Sequence, residues 1–537
     1  MARPNIVLIL NDDMGYSDIG CYGGEVETPN LDTLALNGLR YSQFYNTARC
    51  SPSRASLLTG LHPHQTGIGI LTYSIGPEGY AGNLSDRCAT IPEVLKTQGY
   101  RSYMSGKWHI AADLEKPNGA WPTQRGFDKF FGTIIGAGSF YHPNTLTRGL
   151  DSADRDAVEN PDFFYTDAIS DEAVGFVRNH ASEYGDEPFF MYVAYTAPHW
   201  PLHAHEEDTA RYKGRFDSGW DTLREERLAR LVKAGLIDSS WQLTDRDPSQ
   251  PPFEKAEEKA WMTRLMEVYA AQIDRMDQGI GRILDALDET GKMNDTIIIF
   301  LSDNGGCAED IPENVDPKTL VEDLKIAQYQ TRDGRPVRIG NDPSIMPGNE
   351  DTYQSYGIPW ANLSNTPFRL YKHFTHEGGI ATPLIVHWPG HAEAGGIRHV
   401  PGQLPDIMAT ILEVTGAVYP SERAGQPVPP CEGVSLAPSF KQDTNRAKPL
   451  FWEHEGNAAM REGRWKLVRR FPGPWELFDM KRDRTEMNNM AARDPERVER
   501  MAADWRAWAD RCGVISREKI LEILKHQDVD AFWEEET

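Results

Sequence analysis

Near its N-terminus the chain reads Asn5-Ile6-Val7-Leu8-Ile9-Leu10 and then, at once, Asn11-Asp12-Asp13. The apolar run is too short for a core helix and rich in β-branched residues. It therefore reads as a strand buried on both faces, ending in two adjacent acids. Four more runs have this character: Arg101–Met104, Phe189–Tyr195, Thr296–Leu301 and Leu384–Trp388. Helical patterns lie between them, at Asn30–Asn37, Ile91–Gln98, Ser170–Asn179, Lys259–Thr290 and Leu404–Val414. Strand alternating with helix predicts an α/β fold, a large mixed and mostly parallel sheet sandwiched by helices.

Outward from this core the organisation is less regular. The segment 202–258 is charged and helical only at Leu223–Ala234, which predicts a surface insertion. Residues 306–366 show little periodicity and much Gly, Pro and Asp, and a loop that long predicts part of an active-site wall. A Pro-rich stretch at 420–447 predicts a boundary between a large α/β domain, 1–440, and a small α+β domain with a helical tail, 441–537. In the latter, Leu450–His454, Met460–Arg461, Trp465–Val468 and Trp475–Asp479 read as short antiparallel strands, followed by two helices. The last, Arg517–Lys525, sets Ile520, Leu521, Ile523 and Leu524 largely on one side. That face predicts packing on the chain's own body or on a second subunit, a homo-oligomer joined through this helix.

Composition narrows the function. The 537 residues carry 56 Lys and Arg against 80 Asp and Glu, a net charge of −24. So acidic a surface repels nucleic acid and anionic lipid as main partners. No stretch is apolar for long enough to cross a bilayer, and the run at Ile6–Leu10 is too short for a signal peptide, so the chain reads as made and kept in the cytoplasm. The six cysteines are scattered without a CxxC pair and are expected as free thiols. The sequons at Asn83, Asn294 and Asn362 then carry no meaning.

The residues just beyond each strand carry the chemistry. The first strand ends in Asp12-Asp13, the second runs into Gly106-Lys107-Trp108-His109, the third into Ala197-Pro198-His199 and the fourth into Asp303-Asn304-Gly305-Gly306. Open α/β sheets bind ligands at the carboxyl ends of their strands, so these residues are predicted to share one rim. Asp12, Asp13, Asp303 and Asn304 form an all-oxygen set suited to a hard cation such as Ca²⁺ or Mg²⁺; spacing alone leaves open two acidic turns that cap helices. Cys50-Ser51-Pro52-Ser53-Arg54 opens an apolar helix. A thiol at that place feels the helix dipole, which lowers its pKa, and Arg54 lies one turn on. The alternative is a buried cysteine with Arg54 in a salt bridge.

The stretch Cys50–Gly60 matches C-x-P-S-R-x-x-x-L-T-G at every fixed position, the signature of the type I sulfatases of the alkaline phosphatase superfamily. The chain resembles that family well beyond this stretch. Pro4-Asn5-Ile6-Val7 through Asp12-Asp13, Thr28-Pro29-Asn30-Leu31-Asp32, Gly106-Lys107-Trp108-His109, Ala197-Pro198-His199, Ser302-Asp303-Asn304-Gly305 and Glu377-Gly378-Gly379 match its landmarks in order. The resemblance implies that a separate maturation enzyme converts Cys50 to formylglycine. One hydroxyl of the hydrated aldehyde, held with Asp12, Asp13, Asp303 and Asn304 on a calcium ion (Mg²⁺ and Mn²⁺ being the other hard candidates), would attack the sulfur of a sulfate ester. Loss of the other hydroxyl's proton, with His109 as base, would expel sulfate. Lys107, Lys372 and Arg54 would stabilise the developing charge, and His199 would protonate the leaving alcohol. Lys372 takes its role from its distance before Glu377-Gly378-Gly379, and nearby His376 is a bystander or a substrate contact. Met14 and Tyr16 read as packing.

Where the family often has Leu-Gly after His109, this chain has Ile110-Ala111. The expected function is hydrolysis of sulfate monoesters, with aryl sulfates as the assay class and a small anionic ester as the partner. The nearest alternative is a phosphonate monoester or phosphodiester hydrolase of the same superfamily. Those enzymes tend to carry Asp-Gln and Asp-His where this chain has Asp12-Asp13 and Asp303-Asn304. A Ca²⁺-binding non-catalytic relative and a plain cysteine hydrolase, which a thiol reagent would inactivate, are the other readings. Specificity is expected in 70–85, 110–165 and 306–366.

Overall fold

The computed structural model describes residues 3–526. The first half of the body is β1 (Asn5–Asn11), α1 (Pro29–Leu36), β2 (Leu39–Tyr45), α2 (Cys50–Thr59), α3 (Ile91–Lys96), β3 (Arg101–Gly106), β4 (Lys129–Thr133), α4 (Tyr165–Glu183) and β5 (Phe189–Ala194). It continues with α5 (Gly219–Lys233), α6 (Lys259–Glu289), β6 (Thr296–Ser302), α7 (Gly357–Ser364), β7 (Ala381–His387) and α8 (Pro405–Thr415). The main sheet runs β2-β7-β6-β1-β5-β3-β4, with short strands added at both edges. β6, β1, β5, β3 and β4 are parallel, and β7 runs antiparallel to both of its neighbours. The sheet is thus mixed and mostly parallel, as the alternation predicts.

Side-chain alternation along β1 explains the unbroken apolar run. Ile6, Leu8 and Leu10 face one layer with Leu57, Leu58, Ile91, Leu95, Ile407 and Met408, from α2, α3 and α8. Val7 and Ile9 face the other, with Ile169, Ala173, Ile273 and Ile280 of α4 and α6. Both faces are covered by helices, so Ile6 through Leu10 are apolar on both sides of the strand.

The segment 202–258 differs from expectation. It is built into the body: Trp220 of α5 is 1 % exposed and meets Trp360 of α7 edge-on at 5.3 Å. Arg227 is wholly buried, paired with Asp18 at 2.8 Å and Glu25 at 2.7 Å. The charges that read as a solvated face are partly internal ion pairs, and they brace the loop that follows Asp12-Asp13.

The C-terminal strands β8 (Leu450–His454), β9 (Asn457–Glu462), β10 (Trp465–Arg469) and β11 (Glu476–Asp479) form an antiparallel meander. Trp452, Ala459, Val468 and Phe478 join the core of the large sheet. Ala458, Met460, Leu467 and Leu477, on the other face, pack under Met501, Trp505 and Trp508 of α9 (Pro495–Cys512). In α10 (Arg517–His526), Ile520 is buried against Ile70, Ile75 and Tyr80, with Ile523 and Leu524 packed beside it. Ile520 thus packs on the chain's own body, with Ile523 and Leu524 partly buried beside it. No helix among the described residues is long and apolar enough to cross a membrane.

Candidate active site

The strand ends deliver their residues to one place. Asp12, Asp303 and Asn304 are wholly buried and Asp13 is 1 % exposed. The Asp13 amide donates to Asp303 Oδ1 at 3.3 Å, and Asn304 Nδ2 donates to Asp13 Oδ1 at 2.7 Å, which ties the ends of β1 and β6 together. Asp13 takes a positive φ of 63°, a left-handed turn that brings two consecutive side chains to one side. Three cations and one imidazole surround these acids. Arg54 Nη2 lies 2.7 Å from Asp303 Oδ2, Lys107 Nζ 2.5 Å from Asp12 Oδ2, Lys372 Nζ 3.0 Å and His199 Nε2 3.3 Å from Asp13 Oδ2.

Two buried oxygens in the cluster, Asp12 Oδ1 and Asn304 Oδ1, have no hydrogen-bond donor. Buried acceptors are almost always satisfied, so an orphaned pair beside three carboxylates is an observation that a hard cation would explain. The residues therefore fit a calcium-type ion. The electrostatics agree: burial and then the charge of Asp12 raise the pKa of Asp303, so its ionised form wants a further positive charge. Asp12 itself is held low. Burial opposes its charge, and Lys107, His199, Arg54 and Lys372 outweigh that.

Cys50 is the first residue of α2, 2 % exposed. Its Sγ lies 3.4 Å from His109 Nδ1. The thiol pKa is raised, contrary to the lowering expected from the helix dipole. Burial is the largest cause, and Lys107 and Lys372 only partly offset it. An unmodified Cys50 is therefore a poor thiolate nucleophile, which weighs against the plain cysteine hydrolase. Burial, then Lys107 and Arg54, hold the His109 pKa well below the usual imidazole range, so His109 is neutral, with a lone pair free on one ring nitrogen. Burial also lowers His199, while Asp13 and Asp12 oppose the shift. Its Nδ1 lies 2.6 Å from the Trp200 carbonyl oxygen, which sets the tautomer.

Lys372 joins the site as its sequence distance implied. Its charge survives burial because Asp13, Cys307 and Glu309 face it. His376 instead sits against Glu476, with Nε2 at 3.6 Å, and Tyr16 is buried, donating to the Ser42 carbonyl. Sequence reasoning missed Glu309, which pairs with Lys372 at 3.2 Å and with Arg49 at 2.6 Å. It comes from the stretch predicted as the site wall, but nothing in its local sequence singles it out.

Gly136 was missed as well. A Cβ there would lie 2.1–2.4 Å from His109 ring atoms, so the ring occupies space that only glycine leaves open. His109 has φ +56°, and its backbone has little freedom to retreat. Gly136→Ala is expected to displace the ring and to lower kcat on the order of 10²-fold, the cost of an ångström-scale misplacement. Steady-state kinetics beside an unchanged circular dichroism spectrum check this.

The Sulfatase family model matches residues 4–417, and the model for the N-sulphoglucosamine sulphohydrolase C-terminal region matches 368–504. This chain belongs to the sulfatase family. The sulfatase is 30 % identical to an uncharacterized sulfatase of Schizosaccharomyces pombe over 96 % of this chain and 95 % of that one. It is 33 % identical to an arylsulfatase of Klebsiella aerogenes over 81 % of this chain and 91 % of that one. With the human N-acetylgalactosamine-6-sulfatase it shares 28 % identity, over 85 % of this chain and 69 % of that one. Among solved structures, Ps i-CgsB in complex with a neocarrahexaose superposes with TM-score 0.67 at 23 % identity, covering 99 % of this chain and 98 % of that one. The PsFucS1 sulfatase from Pseudoalteromonas sp. gives 0.60 at 21 %, covering 96 % and 92 %. At those identities the likeness is one of fold.

Proposed function

We propose that this sulfatase hydrolyses sulfate monoesters with Cys50, matured to formylglycine by a separate enzyme, at the nucleophile position, and with Asp12, Asp13, Asp303, Asn304 and residue 50 holding a calcium-type cation. The observation that carries the reading is the pair of orphaned oxygens, Asp12 Oδ1 and Asn304 Oδ1, inside a ring of cations beside Cys50. Formylglycine would supply an oxygen nucleophile through its hydrate, and the cation would supply positive charge to that oxygen and to the ester. The chain's own groups do the rest. His109, kept neutral by burial, accepts a proton from the side chain at position 50. Arg54 and Lys107 orient Asp303 and Asp12 and add positive potential where charge develops on the sulfuryl oxygens. Lys372 does the same from the Asp13 side. His199, its Nδ1–H fixed by the Trp200 carbonyl, would act as the acid in its imidazolium form, which Asp13 and Asp12 favour, passing the Nε2 proton to the departing oxygen and keeping the one on Nδ1.

Aryl sulfates are the assay class, in keeping with the arylsulfatase relative. Cytoplasmic residence is part of the same reading, supported by six cysteines that form no disulfide. Parallel rates on 4-nitrophenyl sulfate, a phosphate diester and a phosphonate monoester test the proposal. The sulfate ester is expected to give the largest kcat/KM. A clear preference for either phosphorus ester assigns the chain to the other hydrolase class.

A further inference from the structure

A second group of metal-type ligands lies outside the site just described and shares no residue with it. His373, His454 and Glu455 present one ligand atom each, all within 4.8 Å of one another. Glu455 Oε2 is the centre of the group, 3.2 Å from His373 Nδ1 and 3.9 Å from His454 Nε2. The imidazoles meet edge-on, with ring centroids 5.2 Å apart at 83°. Independently, His454 is 1 % exposed and neither of its ring nitrogens has a hydrogen-bond partner. A buried imidazole normally satisfies both nitrogens, and each unmade bond costs about 1–3 kcal/mol. With Nε2 facing Glu455 Oε2, the unsatisfied side chain points into the ligand group.

We propose that His373, His454 and Glu455 bind a zinc-type transition-metal ion as a second metal site, separate from the cation site at Asp12. Two nitrogens and one carboxylate oxygen suit zinc and its neighbours, whereas calcium and magnesium want oxygens throughout. The remaining charges are already engaged. Arg517 Nη1 takes the other carboxylate oxygen, Glu455 Oε1, at 3.3 Å, which turns Oε2 toward the histidines as an outer partner does in metal sites. Arg49 is paired with Glu309 at 2.6 Å. Burial also keeps both imidazoles neutral, with their lone pairs free; His373 is lowered to about 4. The backbone aims two of the ligands: His373 and Glu455 have φ of +87° and +49°, conformations that hold where surrounding structure fixes them.

Placement gives the site a purpose. His454 ends β8, Glu455 opens the turn to β9, and His373 follows Lys372 directly. An ion there would pin the C-terminal meander to the segment that presents Lys372, beside the Asn457 Nδ2 bond to the His373 carbonyl at 3.2 Å.

The test uses the full-length protein in calcium-containing buffer, with Zn²⁺ added, gel filtration to remove loose metal, and elemental analysis. About one zinc ion per chain is expected, and cobalt(II) in its place is expected to show the visible absorption of a four-coordinate site. His373→Ala and Glu455→Gln are expected to weaken zinc retention on the order of 100-fold while keeping calcium. His373 is the side chain least able to disturb folding, being 13 % exposed, and melting curves check both variants. Wild-type protein that retains no zinc overturns the assignment. Zinc retained equally by both variants lies elsewhere in the chain and overturns it too.

Discussion

Replacing Cys50 by alanine is expected to lower kcat/KM on an aryl sulfate by about 10⁴-fold or more, while the protein folds and keeps its cation. The substitution removes one sulfur from the first turn of α2, where Arg54, 0 % exposed, stays anchored by Asp303 and by the Lys107 carbonyl. The proposed cation site would lose only one ligand, since Asp12, Asp13, Asp303 and Asn304 come from the ends of β1 and β6. Charge stabilisation therefore survives and the nucleophile does not. The same experiment has a chemical arm. A peptide spanning residues 50–54 from active protein is expected to show sulfur replaced by oxygen with two hydrogens lost. Fully active protein with an unmodified thiol, or an alanine variant with near-normal turnover, would sink the mechanism. The raised thiol pKa of Cys50 sharpens the contrast, because a native thiol so buried is a weak nucleophile to begin with.

The parts of this molecule that sequence discloses are those in which local pattern and chemistry coincide. β1, β5 and β6 carry unbroken apolar runs because helices cover both faces, β3 a shorter one at Tyr103-Met104, and each leads into polar residues of the site. β2 escapes the same reading because Arg40, Ser42 and Gln43 break its apolar run. It is nevertheless a strand, since β7 supplies an antiparallel neighbour that no local window contains. β4, Lys129–Thr133, is missed because only Phe130 and Phe131 in it are apolar. Within the site, Asp12, Asp13, Cys50, Arg54, Lys107, His109, His199, Asp303, Asn304 and Lys372 all converge, yet the dependence of His109 on Gly136 and of Lys372 on Glu309 is invisible. Each of these is a contact between segments far apart in the chain, and neither residue type announces its partner. The charged segment 202–258 shows the opposite error: Arg227 reads as solvated until Asp18 and Glu25 are seen around it.

Glu377→Gln is expected to destabilise the protein by about 3–5 kcal/mol, the cost of breaking a buried ion network by removing one partner. Glu377 belongs to the Glu-Gly-Gly landmark, yet the structure gives it a joining role between the large sheet and the C-terminal meander. Its side chain is 0 % exposed and pairs with Lys466 at 2.8 Å and Arg484 at 2.7 Å, both wholly buried. Tyr45 of β2 donates to it at 3.0 Å, and Glu486 shares Lys466 at 2.8 Å. With glutamine in place, Glu486 is left to balance two buried cations. The pH dependence identifies the cause. Burial opposes the charge of Glu377, and Lys466, Arg484 and Arg461 outweigh it, bringing its pKa down to about 2. An unfolded glutamate titrates near about 4.3, so ionised Glu377 stabilises the fold above that pH and loses the contribution as pH falls toward about 2. The gap in stability between wild type and variant is therefore expected to be widest above about pH 4.5 and to close on acidification. Urea melts of both proteins across this range provide the measurement. A gap under about 1 kcal/mol at neutral pH, or one that holds constant with pH, would remove Glu377 from the energetics of the joint.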